Sequence, residues 1–126
     1  GKEYKIVIEI YGEDNITDYQ YNAQFYIASN SILDSVKFYV NQNDCHSFYY
    51  CSKSDSSMYI YTTGDVDTKL ELYLGETLID ENDDTEISDD DIDYNAHLLI
   101  SSDRNATYKI VVKSYNEGVV TLCVNQ

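Results

Sequence analysis

The sequence predicts an all-β protein, an antiparallel sandwich of about eight to ten short strands, on three observations. Apolar and polar residues alternate along most of the chain, the period of a half-buried strand. No stretch holds a helical period over about ten residues. Polar turn sequences recur at roughly ten-residue spacing, as they do in sandwiches. The 126 residues suit one domain, and 43% hydrophobic content is enough for a core.

The elements follow in order. "YKIVIEIY" sets Tyr4, Ile6, Ile8 and Ile10 on one face and Lys5, Val7, Glu9 and Tyr11 on the other. Residues 1–14 read as an edge strand or an inter-domain segment of the single domain 1–126. The opening "GKEYKIVIEIYG" alternates and carries charge, unlike a signal peptide. "YNAQFYIA", "SVKFYV" and "HSFYYC" are the next strands. "SMYIYTT" sets Met58 and Ile60 against Tyr59 and Tyr61. "TKLELYL" points Leu70, Leu72 and Leu74 inward, with Lys69, Glu71 and Tyr73 outward. Gly75 and Glu76 turn the chain into "TLIDE". "NAHLLIS", "TYKIVVKSY" and "VVTLCV" complete the series, the last with Val120, Leu122 and Val124 on one face and Cys123 on the other.

Charge narrows the function classes. Twenty-three acidic against eight basic residues give a net charge of −15. That argues against nucleic acid, whose binding neutralises phosphates with Lys and Arg, and against anionic membrane surfaces. No apolar run approaches the roughly 18 residues of a spanning helix. The composition favours metal cations as partners.

Residues 80–93 hold nine carboxylates in fourteen positions. Like charges at about 4 Å repel by about 1 kcal/mol even in water, so the segment either spreads into solvent or shares a cation. Asp80, Asn82 and Asp84 have the one-three-five spacing of a calcium loop, and Asp91 stands at its twelfth place. Thr85 replaces the glycine such a loop needs, so it is not an EF-hand. The candidate metal ligands are Asp80, Asn82, Asp83, Asp84 and Asp91, with calcium as the ion and a solvated insertion as the rival reading. In "GDVDT", Asp65 and Asp67 form a second candidate, for which turn hydrogen bonding before a strand is the favoured reading.

No catalytic signature stands out. Cys45 and His46 are adjacent and would point to opposite faces of a strand. There is no Ser-centred glycine elbow and no two-histidine metal helix. Paired carboxylates of the glycosidase kind stay open only because acids abound. The expectation is a protein that is not an enzyme. Cys45 and Cys51 stand too far apart in one strand to pair, and either could pair with Cys123 only by strand adjacency; the expectation is three free, partly buried thiols at Cys45, Cys51 and Cys123.

From about Asp44 to Val124 the motifs come in an order that resembles the bacterial pre-peptidase C-terminal (PPC-like) domain, a fold that includes the collagen-binding domains of clostridial collagenases. They are "HSFYYCS", "YIYTTGDVDTKLELY", "LIDENDD", "NAHLLIS" and "ATYKIVVKSYNEGVVTLCV". The chain departs from the family in having Asn105 and Ala106 where a glycine usually precedes the strand tyrosine, and in a longer, more acidic insertion from Asp84 to Asn95. The resemblance implies a jelly-roll-like β-sandwich and a non-catalytic accessory module of a secreted or cell-surface bacterial protein. Such a module is structural or adhesive and calcium-stabilised. The alternative is a carbohydrate- or protein-binding module whose exposed Tyr59, Tyr61 and Tyr73 form the binding face. The partner is then a neighbouring domain of a larger secreted protein or an extracellular polymer, without nucleic acid and without membrane insertion.

Overall fold

Among the described residues the first strand pairs with the last. The computed structural model describes residues 32, 34–88 and 91–126. The strands expected over Tyr4–Tyr11 and in "YNAQFYIA" lie outside them. Among the described residues there are ten strands, and no helix is long and apolar enough to cross a membrane. They are β1 (Ser35–Val40), β2 (Cys45–Cys51), β3 (Ser56–Gly64), β4 (Thr68–Leu74), β5 (Thr77–Asn82), β6 (Thr85–Ser88), β7 (Asp91–Asp93), β8 (His97–Ser102), β9 (Thr107–Ser114) and β10 (Gly118–Asn125).

With the small β6–β7 hairpin set aside, the pairing is nested. β1 joins β10, β2 joins β9, β3 joins β8 and β4 joins β5, all antiparallel. Two further pairings, β10 with β3 and β9 with β4, merge these ribbons into two four-stranded sheets, β1-β10-β3-β8 and β2-β9-β4-β5. This is the eight-stranded jelly roll, a long double ribbon rolled into two facing sheets. The acidic insertion is the β6–β7 hairpin, spliced between β5 and β8.

The core fills the space between the sheets. One sheet contributes Met58, Ile60, Leu98, Val120, Leu122 and Val124, all buried. The other contributes Phe48, Tyr50, Leu70, Leu72, Tyr108, Ile110 and Val112. Burial of such a side chain contributes about 1.5–3 kcal/mol. Two expectations need correction. Leu74 is 40% exposed: it keeps the face of Leu70 and Leu72, in unbroken register with Tyr108, but it ends β4 beside the Gly75 turn, where the core no longer covers it. Cys45 and Cys51 are exposed and Cys123 half-buried, so the thiols are free as expected but mostly not buried.

Glu71 points away from the core and is nonetheless only 7% exposed. Its register neighbour Val111 lies beside it, and charged side chains from two strands cover it. Lys113 Nζ donates to Glu71 Oε1 at 2.6 Å, Tyr73 Oη donates to Oε2 at 2.8 Å, and Lys69 Nζ stands 3.8 Å from Oε1. Lys69 also pairs with Glu81 at 2.9 Å. The Lys113 hydrogen bond holds the Glu71 carboxyl below its usual range, against burial that pushes the other way.

At one end of the sandwich Gln126 locks the last strand down. The two protons of its Nε2 are shared among Ser52 Oγ (2.7 Å), Ser102 Oγ (2.6 Å) and the Ser54 carbonyl (3.0 Å). Its Oε1 accepts from the Lys53 amide (2.8 Å) and Tyr50 Oη (3.1 Å). Every bonding position of the carboxamide oxygen and nitrogen is thus used, which leaves no room for a carboxylate.

Two outcomes are expected. Glu71→Gln lowers stability at pH 7 by about 1–2 kcal/mol, a charge-assisted bond discounted for the half-exposed Lys113. Because the folded-state pKa of Glu71 is depressed, its contribution is complete above the ordinary glutamate range and fades as pH falls through the lower folded value. Urea unfolding should show the gap between wild type and variant closing on acidification; a gap that persisted in acid would contradict the ion pair. Gln126→Ala costs about 1–2 kcal/mol in the same measurement, and Gln126→Glu costs more, since a carboxylate oxygen would then face the Ser54 carbonyl.

Candidate functional site

The opposite end of the sandwich gathers the turns β3–β4, β5–β6 and β9–β10. Two glycines let them close. Gly64 (φ 133°) and Gly118 (φ 151°) adopt backbone conformations that favour glycine, and neither has room for a side chain. A Cβ on Gly64 would stand 2.6 Å from the Val119 carbonyl oxygen, and one on Gly118 would stand 2.8 Å from Val66 Cγ2. Val66, 2% exposed, plugs the space between the two turns. The Asp67 amide donates to Asn116 Oδ1 at 2.8 Å, and the Tyr115 amide donates to the Asp67 carbonyl at 3.0 Å. Behind them the Thr62 and Thr68 hydroxyls bond at 2.6 Å, and the Ala96 amide donates to Thr62 Oγ1 at 3.1 Å.

In this frame Asp67, Asp83 and Asp84 meet, with one carboxylate oxygen from each within 4.8 Å of the others. The hairpin register explains the meeting. Leu70 faces Asn82, so the residues before β4 stand across from those after β5. Asp67 is half-buried, and Asp83 and Asp84 are exposed. Asp67 Oδ1 is buried without a hydrogen-bond partner. Burial, then the charges of Asp84 and Asp83, push the Asp67 carboxyl up. Tyr115 Oη donates to Asp83 Oδ2 at 3.1 Å; burial and this bond raise the phenol pKa as well. A buried anionic oxygen without a donor, beside two more carboxylates, is costly in a proton-poor state unless a cation shares it. The donor set is all hard oxygen, which suits calcium.

The residues singled out from the sequence divide. Asp83 and Asp84 are in the cluster. Asp80, whose Oδ1 accepts from the Glu81 amide (2.9 Å), is not in it, and Asn82 Oδ1 accepts from the His97 amide (3.0 Å). Asp91 lies in β7, across the hairpin from Ser88. Asp67, read as a turn hydrogen-bonding residue, leaves that work to Thr68 and to its own backbone, and its carboxylate faces the cluster. Asp65 stands on the other side of Val66.

The tyrosines divide as well. Tyr59 and Tyr61 stand on the outer face of β1-β10-β3-β8, stacked at 4.9 Å and 28°, with His97 6.0 Å from Tyr59. Leu99, paired with Tyr59 across the β3–β8 ladder, is 66% exposed. Tyr73 belongs to the other sheet, where its hydroxyl serves Glu71 and Lys109 Nζ lies 5.3 Å from its ring centre. The three do not form one surface, because period two fixes the side of a strand and not the sheet it joins.

Neither a family model nor a curated protein matches this sequence. Among solved structures, the pre-peptidase C-terminal domain of collagenase from Bacillus anthracis is similar, with a TM-score of 0.59 at 13% identity. The match covers 76% of this chain and 93% of that one. Asn105, which replaces the glycine expected before the strand tyrosine, has φ 66°, a conformation that asparagine tolerates better than most residues. The departure in sequence therefore preserves the turn. The resemblance carried by the ordered motifs is met in the structure: the chain has the β-sandwich fold of the pre-peptidase C-terminal domain.

Proposed function

We propose that the chain is a non-catalytic accessory module of a secreted or cell-surface protein, and that calcium held by Asp67, Asp83 and Asp84 fixes its turn-bearing end. The observation that carries this reading is the buried, donorless Asp67 Oδ1 converging with two further carboxylates. The likeness to a C-terminal domain of a collagenase supports the accessory role. Three carboxylates supply part of the six to eight oxygens calcium takes, and water completes the shell. With the ion bound, the turns β3–β4 and β5–β6 are cross-linked through one charge, which orders that end of the domain. A second reading is adhesion to an extracellular polymer through the outer face that carries Tyr59, Tyr61 and Leu99, favoured by the exposure of Tyr59 and Leu99 and by the stacking of half-buried Tyr61 on Tyr59.

Thermal unfolding in millimolar calcium, in magnesium and in chelator tests the first reading. At a hundredfold excess over the dissociation constant, binding adds about 2.7 kcal/mol, several degrees in the midpoint. Asp67→Asn should abolish the calcium response. In chelator the same variant should be more stable than wild type near neutral pH, by removing an uncompensated charge. The raised folded pKa of Asp67 gives the sign: the native state holds its proton longer than the unfolded chain, so apo stability falls as pH rises from the unfolded to the folded value. The variant flattens that fall. A calcium response that survived in Asp67→Asn would remove this cluster from the reading. For the second reading, retention on insoluble collagen, mucin or plant polysaccharide should drop on Tyr59→Ala; retention on none of them would sink it.

A further inference from the structure

A groove of ≈ 500 Å³ opens on the outer face of β1-β10-β3-β8, on the far side of Val66 from the acidic cluster. Lys37, Thr121 and Thr63 form its floor as one cross-strand row, since Lys37 pairs with Thr121 and Thr121 with Thr63. Asp65 from the β3–β4 turn and Glu117 from the β9–β10 turn stand at its rim. Tyr39, 56% exposed, borders it beside Val119, and its hydroxyl donates to Glu117 Oε2 at 3.4 Å. The size falls within that of ligand sites, about 300–1,000 Å³.

The charges in this groove are not spent on one another. Lys37 and Asp65 make no hydrogen bond or ion pair among the described residues, although they share the groove. Two carboxylates at the rim with an exposed aromatic ring alongside make a cation site, and the net charge of −15 steers cations toward it. A planar guanidinium fits better than a compact ammonium. It donates to two acceptors held on separate turns and still presents a face to the Tyr39 ring. The floor offers the opposite chemistry, an ammonium and two hydroxyls, which suits the carbonyl oxygens of the chain that bears the guanidinium.

We propose that this groove receives an arginine side chain of a protein partner, with the guanidinium between Asp65 and Glu117 against Tyr39 and the partner's backbone carbonyls over Lys37, Thr63 and Thr121. No metal takes part, so the assignment stands apart from the cation cluster.

The test is a titration of the ¹⁵N-labelled domain, in chelator and at physiological salt, with acetyl-Gly-Gly-Arg-Gly-Gly-amide and with its citrulline counterpart. The expected result is saturable shifts at the amides of Thr63, Asp65, Glu117 and Thr121 with the arginine peptide and none with citrulline. Asp65→Asn and Glu117→Gln, both exposed positions, should each weaken binding at least fivefold while the remaining spectrum stays native. Shifts confined to the acidic Asp80–Asp84 segment, or equal affinity in both variants, would mean diffuse attraction to an acidic surface and would overturn the proposal. So would groove shifts produced by a neutral oligosaccharide and not by the peptide.

Discussion

The register that places Leu70 between Val112 on one side and Asn82 on the other is the constraint from which the rest of the molecule follows. Strand pairing fixes two things together: which side chains face inward, and which turns lie side by side. Set by β4, the first consequence buries Leu70 and Leu72 against the opposing sheet, and the second carries Asp67 to Asp83 and Asp84. A slip by one residue would turn Leu70 and Leu72 to solvent and Lys69 and Glu71 into the core. The core thus enforces the geometry of a surface site it never touches.

The same constraint explains how the domain carries its charge. Basic residues are few, and three of them, Lys69, Lys109 and Lys113, lie on β4 and β9, on the outer face of one sheet. There Lys69 and Lys113 surround Glu71, and Lys109 lies over Tyr73. That sheet is therefore internally neutralised and covered. The turn-bearing end is left with an excess of carboxylates, separated by buried Val66 into a cluster on one side and a mixed groove on the other.

How much of this the sequence shows depends on whether a property is local. Alternation in "VVTLCV" and "TKLELYL" is local, and it identifies the buried faces of β10 and the first part of β4 without help. A jelly-roll-like sandwich is implied by the resemblance the ordered motifs carry and not by alternation, since periodicity gives strands and not their neighbours. Glu71 is hidden because Lys113, far along the chain, comes down beside it, and no pattern around Glu71 signals that. Tyr73 parted from Tyr59 and Tyr61 for the same reason. Asp67 was within reach: once Gly75 and Glu76 are taken as the hairpin turn, counting outward along both strands brings Asp67 toward Asp84. The one-three-five spacing of the acidic run is local, whereas the meeting of Asp67 with Asp83 and Asp84 is made across the hairpin.

The nested pairing has a kinetic consequence. β10 is the neighbour of both β1 and β3, and β9 of both β2 and β4, so each sheet has a central strand drawn from the end of the chain. Neither sheet can assemble around its centre until those residues have been synthesised, and a chain stopped short of them holds only edges. Topologies dominated by such distant pairings fold on the order of milliseconds to seconds. During that interval the exposed strand edges are vulnerable to pairing with other chains. The dense negative charge of "DENDDTEISDDDID", residues 80–93, precedes β9 and β10 and is already made while the sheets wait, and like charge of that density keeps nascent copies apart.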